Sequence, residues 1–93
     1  MILGLDYDFT YTADPDFWDA VIAHAEQRGH VVVCVTGRDA PPEKHERQLP
    51  QTVLVVCAGD QYKRFAAEAA GHTIDVWIDD CPGTIEPGRK LQW

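Results

Sequence analysis

Several residues able to carry chemistry stand directly after short apolar runs. Asp6-Tyr7-Asp8-Phe9-Thr10 follows the first run, Thr36-Gly37-Arg38 the second, and Asp79-Asp80 the fourth, while Lys63 opens a helical pattern beyond the third. If the runs are parallel strands, these positions fall on one edge of one sheet. Carboxylates, a hydroxyl and an ammonium then converge there, and their mutual repulsion calls for a bound cation. A hard divalent ion with oxygen ligands is the natural counter-charge. Mg²⁺ suits a site with few carboxylates and a phosphate substrate.

In that setting Asp6 is the expected nucleophile, since carboxylates can accept a phosphoryl group. Asp8, two residues on, is placed to give a proton to the leaving oxygen and later to take one from water. Thr36, Gly37 and Arg38 are expected to bind phosphoryl oxygens. Lys63 would offset charge on the transferring group. Asp6, Asp79, Asp80 and Asp8 (through its main-chain carbonyl) are the expected metal ligands. Thr10 is expected to brace the loop after Asp8, and Tyr7 and Phe9 to pack or line the entrance.

The elements that must position these residues read as β-α-β-(short α)-β-α-β. The runs are Ile2 to Leu5, Val31 to Val35, Val53 to Cys57 and Ile74 to Ile78. The second and third are continuous and β-branched, as in strands covered on both faces. Asp14-Pro15 signals a helix start, and Phe17, Trp18, Val21, Ile22 and Ala25 then recur at helical spacing up to Gly29. Residues 37 to 52 suggest one or two helical turns. Tyr62 to Ala70 reads as a helix with Phe65, Ala66 and Ala69 on one side, and a short turn is expected near Thr84. Such alternation implies right-handed crossovers and a mainly parallel sheet with helices on both faces. Ligands in such sheets bind beyond the carboxyl ends of the strands.

The set Asp6-x-Asp8-x-Thr10, Thr36, Lys63 and Asp79-Asp80 resembles the four motifs of the haloacid dehalogenase (HAD) superfamily, in order and across residues 1 to about 86. The resemblance implies a three-layer Rossmann-like α/β fold with a sheet of about four strands and no cap domain. It also implies Mg²⁺ dependence and an aspartyl-phosphate intermediate, and an aspartate at position 8 is similar to the phosphatase branch. A catalytically silent binding or regulatory module on the same scaffold is the alternative. A phosphoacceptor receiver domain uses similar residues, but its acceptor ends the third strand and its lysine the last, which this order excludes.

Ninety-three residues make one domain. Eight basic against fifteen acidic residues give a net charge of −7, which favours a small phosphorylated substrate over a nucleic-acid end and disfavours an anionic membrane. Three cysteines show no paired spacing, so Cys34 and Cys57 read as buried hydrophobes and a reducing, cytoplasmic setting is expected. His24, His30, His45 and His72 lack ligand spacing. Trp18 and Trp77 are expected in the core. Trp93 is assigned to back-packing or a subunit contact, and an uncapped edge leaves room for a homo-oligomer.

Overall fold

A computed structural model of the chain describes residues 1–88. Four strands, β1 (Ile2–Leu5), β2 (Val31–Thr36), β3 (Leu54–Cys57) and β4 (Val76–Ile78), form one sheet in the order β3-β2-β1-β4. Every pairing is parallel. The chain adds β2 and β3 to one side of β1, then crosses back to lay β4 on the other. Strand order therefore reverses at β1, and the carboxyl ends of β1 and β4 flank the place where such sheets bind ligands.

Helices α1 (Pro15–Gln27) and α2 (Lys63–Ala69) cover opposite faces. Alternate residues of β2 explain how. Val32 and Cys34 join Leu5, Ile22 and Ala25 in one buried cluster under α1, while Val33 and Val35 join Ala67 and Ile74 in a second under α2. Each fully buried Val, Leu or Ile contributes about 1.5–3 kcal/mol relative to exposure, so β2, buried on both sides, is the backbone of the fold. Trp18 and Trp77 pack against the first and second clusters respectively. Gly4 is needed beneath the second cluster: a Cβ there would lie 2.9 Å from Ile74 Cγ2 and 3.0 Å from Trp77.

Helix α1 starts where its sequence signals place it. Asp14 Oδ1 accepts from the Phe17 amide at 3.2 Å, Pro15 occupies the first turn, and Gly29 takes a φ of 82° past the end. Two expectations need correction. Residues 37 to 52 form turns rather than helix; Pro41-Pro42 and Pro50 remove the amides a helix would use. Side chains hold this segment instead. The Tyr7 hydroxyl donates to the Arg47 carbonyl at 2.6 Å, Tyr11 to the Gln48 carbonyl at 3.2 Å, and Arg47 pairs with Asp16 and Asp19 on α1. On α2 the buried residues are Lys63, Ala66 and Ala67 while Phe65 stands 49% exposed, so the inward face does not include Phe65.

Strands β3 and β4 are shorter than the apolar runs that announced them, although Val53 and Ile74 remain buried just outside them. The expected turn near Thr84 is a single 3-10 turn at Pro82–Thr84. Among the described residues no helix is long and apolar enough to cross a membrane. Trp93 lies outside the described residues.

Candidate active site

Asp6 is the first residue past β1, and Asp79 the first past β4. The Asp6 amide donates to the Ile78 carbonyl at 2.9 Å, which ties the two strand ends together. The two carboxylates share one cation. Lys63 Nζ, at the first turn of α2, lies 2.8 Å from Asp6 Oδ1 and 2.7 Å from Asp79 Oδ2. All three side chains are buried. Arg64 lies over the Trp77 ring and pairs with Glu86, so Lys63 alone reaches the carboxylates.

Thr10 does more than brace a loop. Its hydroxyl is 3.0 Å from Asp6 Oδ2 and 3.1 Å from Asp80 Oδ1, and it accepts the Asp80 amide at 3.2 Å. A hydroxyl has one proton, so it can donate to only one of the two carboxylates at a time. Carboxylate oxygens of Asp6, Asp79 and Asp80 lie within 4.8 Å of one another. The Cys81 amide fixes Asp79 by donating to its Oδ1 at 2.9 Å.

Crowding sets the electrostatics. Burial, then a hydrogen bond shared with Asp80, push the Asp6 carboxyl up to about 6 despite the opposing pull of Lys63. The same bond to Asp6, with help from Thr10, holds Asp80 below the usual carboxylate range. Burial alone would favour a neutral Lys63, but its hydrogen bonds to Asp6 and Asp79 outweigh that and raise it. With every group ionised, three carboxylates face one ammonium and two negative charges remain uncompensated.

Asp8 sits apart from this cluster. Its carboxylate accepts two parallel hydrogen bonds from Arg38, Nε to Oδ2 and Nη2 to Oδ1, both at 2.8 Å. Arg38 is held in turn by Glu46, with Nη1 at 2.8 Å from Oε1, and lies over the Tyr7 ring at 5.0 Å. The Asp8 side chain is therefore not a fourth carboxylate of the cluster: the Arg38 fork draws it aside. Glu46 was not visible as a site residue from sequence. It lies in a segment without periodicity, and only the folded path of residues 43–49 brings it to Arg38.

The cluster and the clamp share a cleft of about 630 Å³, a volume typical of small-molecule sites. Asp6, Asp8, Gly37, Arg38, Lys63, Asp79 and Asp80 line it, with Phe9, Gln61 and Tyr62. Thr36 does not. It is buried behind the cleft, where its hydroxyl accepts the Arg38 amide at 3.3 Å. That bond supports the turn that presents Gly37 and Arg38. No histidine lines the cleft, and Tyr7 is wholly packed in the core. Cys34, buried, has its thiol pushed up to about 12 by desolvation, and all three cysteines are free.

No protein-family model, no curated protein and no solved structure matches this chain.

Proposed function

We propose that this chain is a HAD-type, Mg²⁺-dependent phosphomonoesterase that works through an aspartyl phosphate on Asp6. The observation that carries this reading is the joint placement of Asp6, Lys63, Asp79 and Asp80 at the rim where β1 and β4 end. Three carboxylates gathered around one ammonium, with Asp6 and Lys63 buried and Asp80 exposed at the mouth, have no packing rationale. Hard oxygen donors facing a cleft are the donor chemistry that Mg²⁺ prefers. Side chains of Asp6, Asp79 and Asp80, with the Asp8 carbonyl, would hold the ion. When bound, Mg²⁺ would supply the positive charge that lets an anionic phosphate approach an acidic rim.

The chain's own residues then divide the work. Asp6 Oδ attacks phosphorus while the bond to the leaving oxygen breaks. Lys63 keeps Asp6 oriented and offsets charge on the phosphoryl oxygens. Asp8 delivers a proton to the leaving alkoxide, giving the free alcohol. A water then attacks the phosphorus of the aspartyl phosphate, Asp8 takes its proton, and Asp6 leaves as carboxylate with inorganic phosphate released. Arg38 and Gly37 face the same cleft and are the residues that would steady the ester.

One observation favours the second reading, a binding module without turnover: the Arg38 fork occupies both Asp8 oxygens, which keeps them from a leaving group. The two readings separate in a phosphate-release assay with Mg²⁺ over nucleotides, sugar phosphates and phosphorylated oligonucleotides. The wild-type chain should release phosphate from at least one class, and Asp6→Asn from none. Equal background from both proteins would reject catalysis and leave the binding module.

A further inference from the structure

Phe9 combines two features that folding alone disfavours. Its backbone lies in the left-handed region, at a φ of 64°, the only non-glycine residue there among the described residues. The residue is 80% exposed, the most exposed large apolar residue among the described residues. A turn that needs this backbone conformation is served best by Gly or Asn, and neither would expose a phenyl ring. The neighbours over-determine the turn: the Phe9 amide donates to Thr12 Oγ1 at 2.9 Å, and Thr10 is tied to Asp6 and Asp80. Strain held in place beside a candidate site is a sign of function rather than of packing.

The ring has an aromatic companion. Phe9 and Tyr62 line the same cleft as Asp6 and Lys63. Tyr62 is 40% exposed and packs edge to face on Phe65, with ring centroids 5.9 Å apart. That contact gives Phe65 a task at the surface, where it stands half-exposed. Gln61, exposed on the same wall, offers an amide with both donor and acceptor atoms.

We propose that Phe9 and Tyr62 form an aromatic rim that takes the base of a nucleoside monophosphate whose phosphoryl group lies at Asp6. This rests on the phosphomonoesterase reading of Asp6 and narrows its substrate. Bases stack on exposed aromatic side chains because every base has a π-face. A cleft of about 630 Å³ accommodates one nucleotide. Its acidic wall, with Asp8, Asp60, Asp79 and Asp80, repels the further phosphates of a polymer and favours a monoester standing alone.

The test compares adenosine 5′-monophosphate with ribose 5-phosphate, which differ by the base alone. With Mg²⁺, the wild-type chain should show kcat/KM larger for the nucleotide by roughly 10-fold or more, from the stacking of one base. Phe9→Ala should collapse that ratio toward 1, Phe9→Trp should keep it, and Phe9→Leu, apolar but without a π-face, should not. Phe9→Gly should raise the thermal midpoint by relieving the backbone, whereas a merely structural Phe9 would make it fall. Calorimetric binding of the same two compounds to Asp6→Asn gives a readout that needs no turnover. Hydrolysis without base preference would overturn the aromatic rim and leave the phosphomonoesterase standing. Base-dependent, Phe9-dependent binding with no hydrolysis of any ester would uphold the rim and remove the phosphomonoesterase. Equal binding of the two compounds, or none, together with no base preference in turnover, would overturn the rim.

Discussion

Asp6 and Asp8 are two residues apart, yet they occupy opposite kinds of surroundings. Asp6 is 6% exposed, wedged among Lys63, Thr10, Asp79 and Asp80, and burial pushes its carboxyl up to about 6. The Asp8 side chain is 41% exposed and is held by a fork from Arg38, itself held by Glu46. The first arrangement is fixed by buried charge and the second by solvated charge. Environment, not residue type, separates two carboxylates so close in sequence, and the fork that occupies both Asp8 oxygens works against the proton-carrying role that the buried Asp6 would require of its neighbour. The contrast also teaches where each region is fragile. A buried cluster fails when one member is lost, while an exposed clamp yields gradually to salt and substitution.

The largest effect should come from emptying the centre of the buried region. Lys63→Met leaves Asp6 and Asp79 buried without their partner, and removing one member of a buried pair costs about 3–5 kcal/mol. That is a large share of the roughly 5–15 kcal/mol available to a domain of ordinary stability. Urea denaturation without divalent ions measures it, and a loss below about 1 kcal/mol would mean that the cluster is not under tension. Substrate turnover should be lost with it.

Next in size is a pH effect specific to Asp6. Its folded-state pKa, about 6, lies above the ordinary aspartate value of 3.8, so the folded state holds this proton more tightly than the unfolded one. Stability from this group is therefore present below about 4 and is lost as pH rises through about 6. Relative to Asp6→Asn, the metal-free wild type should lose stability over that window, and Mg²⁺ should reverse the loss above it. Thermal midpoints of the two proteins from pH 4 to 7, with and without Mg²⁺, check both statements. A difference that stays flat with pH would place Asp6 in an ordinary environment.

The smallest stability effect belongs to the clamp. Glu46→Gln removes a half-buried charge whose carboxyl Arg38 now holds low, at about 2, in a pair still within reach of solvent, and such pairs contribute little to stability. The midpoint should barely move, and what movement there is should vanish in 1 M NaCl. Activity should be more sensitive than stability, because a neutral amide holds Arg38 less tightly and Arg38 lines the cleft. A fall in kcat with a stable fold sharpens the contrast between the regions. A fall in stability equal to that of Lys63→Met would erase it.

Most of the framework was legible because it rests on local signals. The β-branched runs, Asp14-Pro15 and Gly29 place β2 and α1 to within a residue or two, and the order of elements implies the parallel sheet. Aspartates and Lys63 could be assigned to one rim because strand ends of a parallel sheet share an edge. What sequence could not give depends on contacts far along the chain. Glu46 meets Arg38 only because Tyr7, Tyr11 and Arg47 pin a turn segment that has no pattern of its own. Apolar spacing groups Phe65 with Ala66 on one side but does not say which residue is buried: Ala67 is buried under the sheet and Phe65 packs on Tyr62. Thr36 was assigned to the cleft by its place at a strand end, but its side chain falls behind the turn it supports.

A covalent bond between phosphorus and the Asp6 carboxylate is the central claim, and it can be trapped. Acid-quenched reactions containing Mg²⁺ and a hydrolysed ester would be treated with borohydride, which reduces an aspartyl phosphate to homoserine, and the N-terminal peptide would be weighed by mass spectrometry. The predicted result is the mass loss of that reduction at residue 6, dependent on substrate and absent from Asp6→Asn. Steady release of phosphate with residue 6 unmodified, or with the modification on another aspartate, would contradict the account.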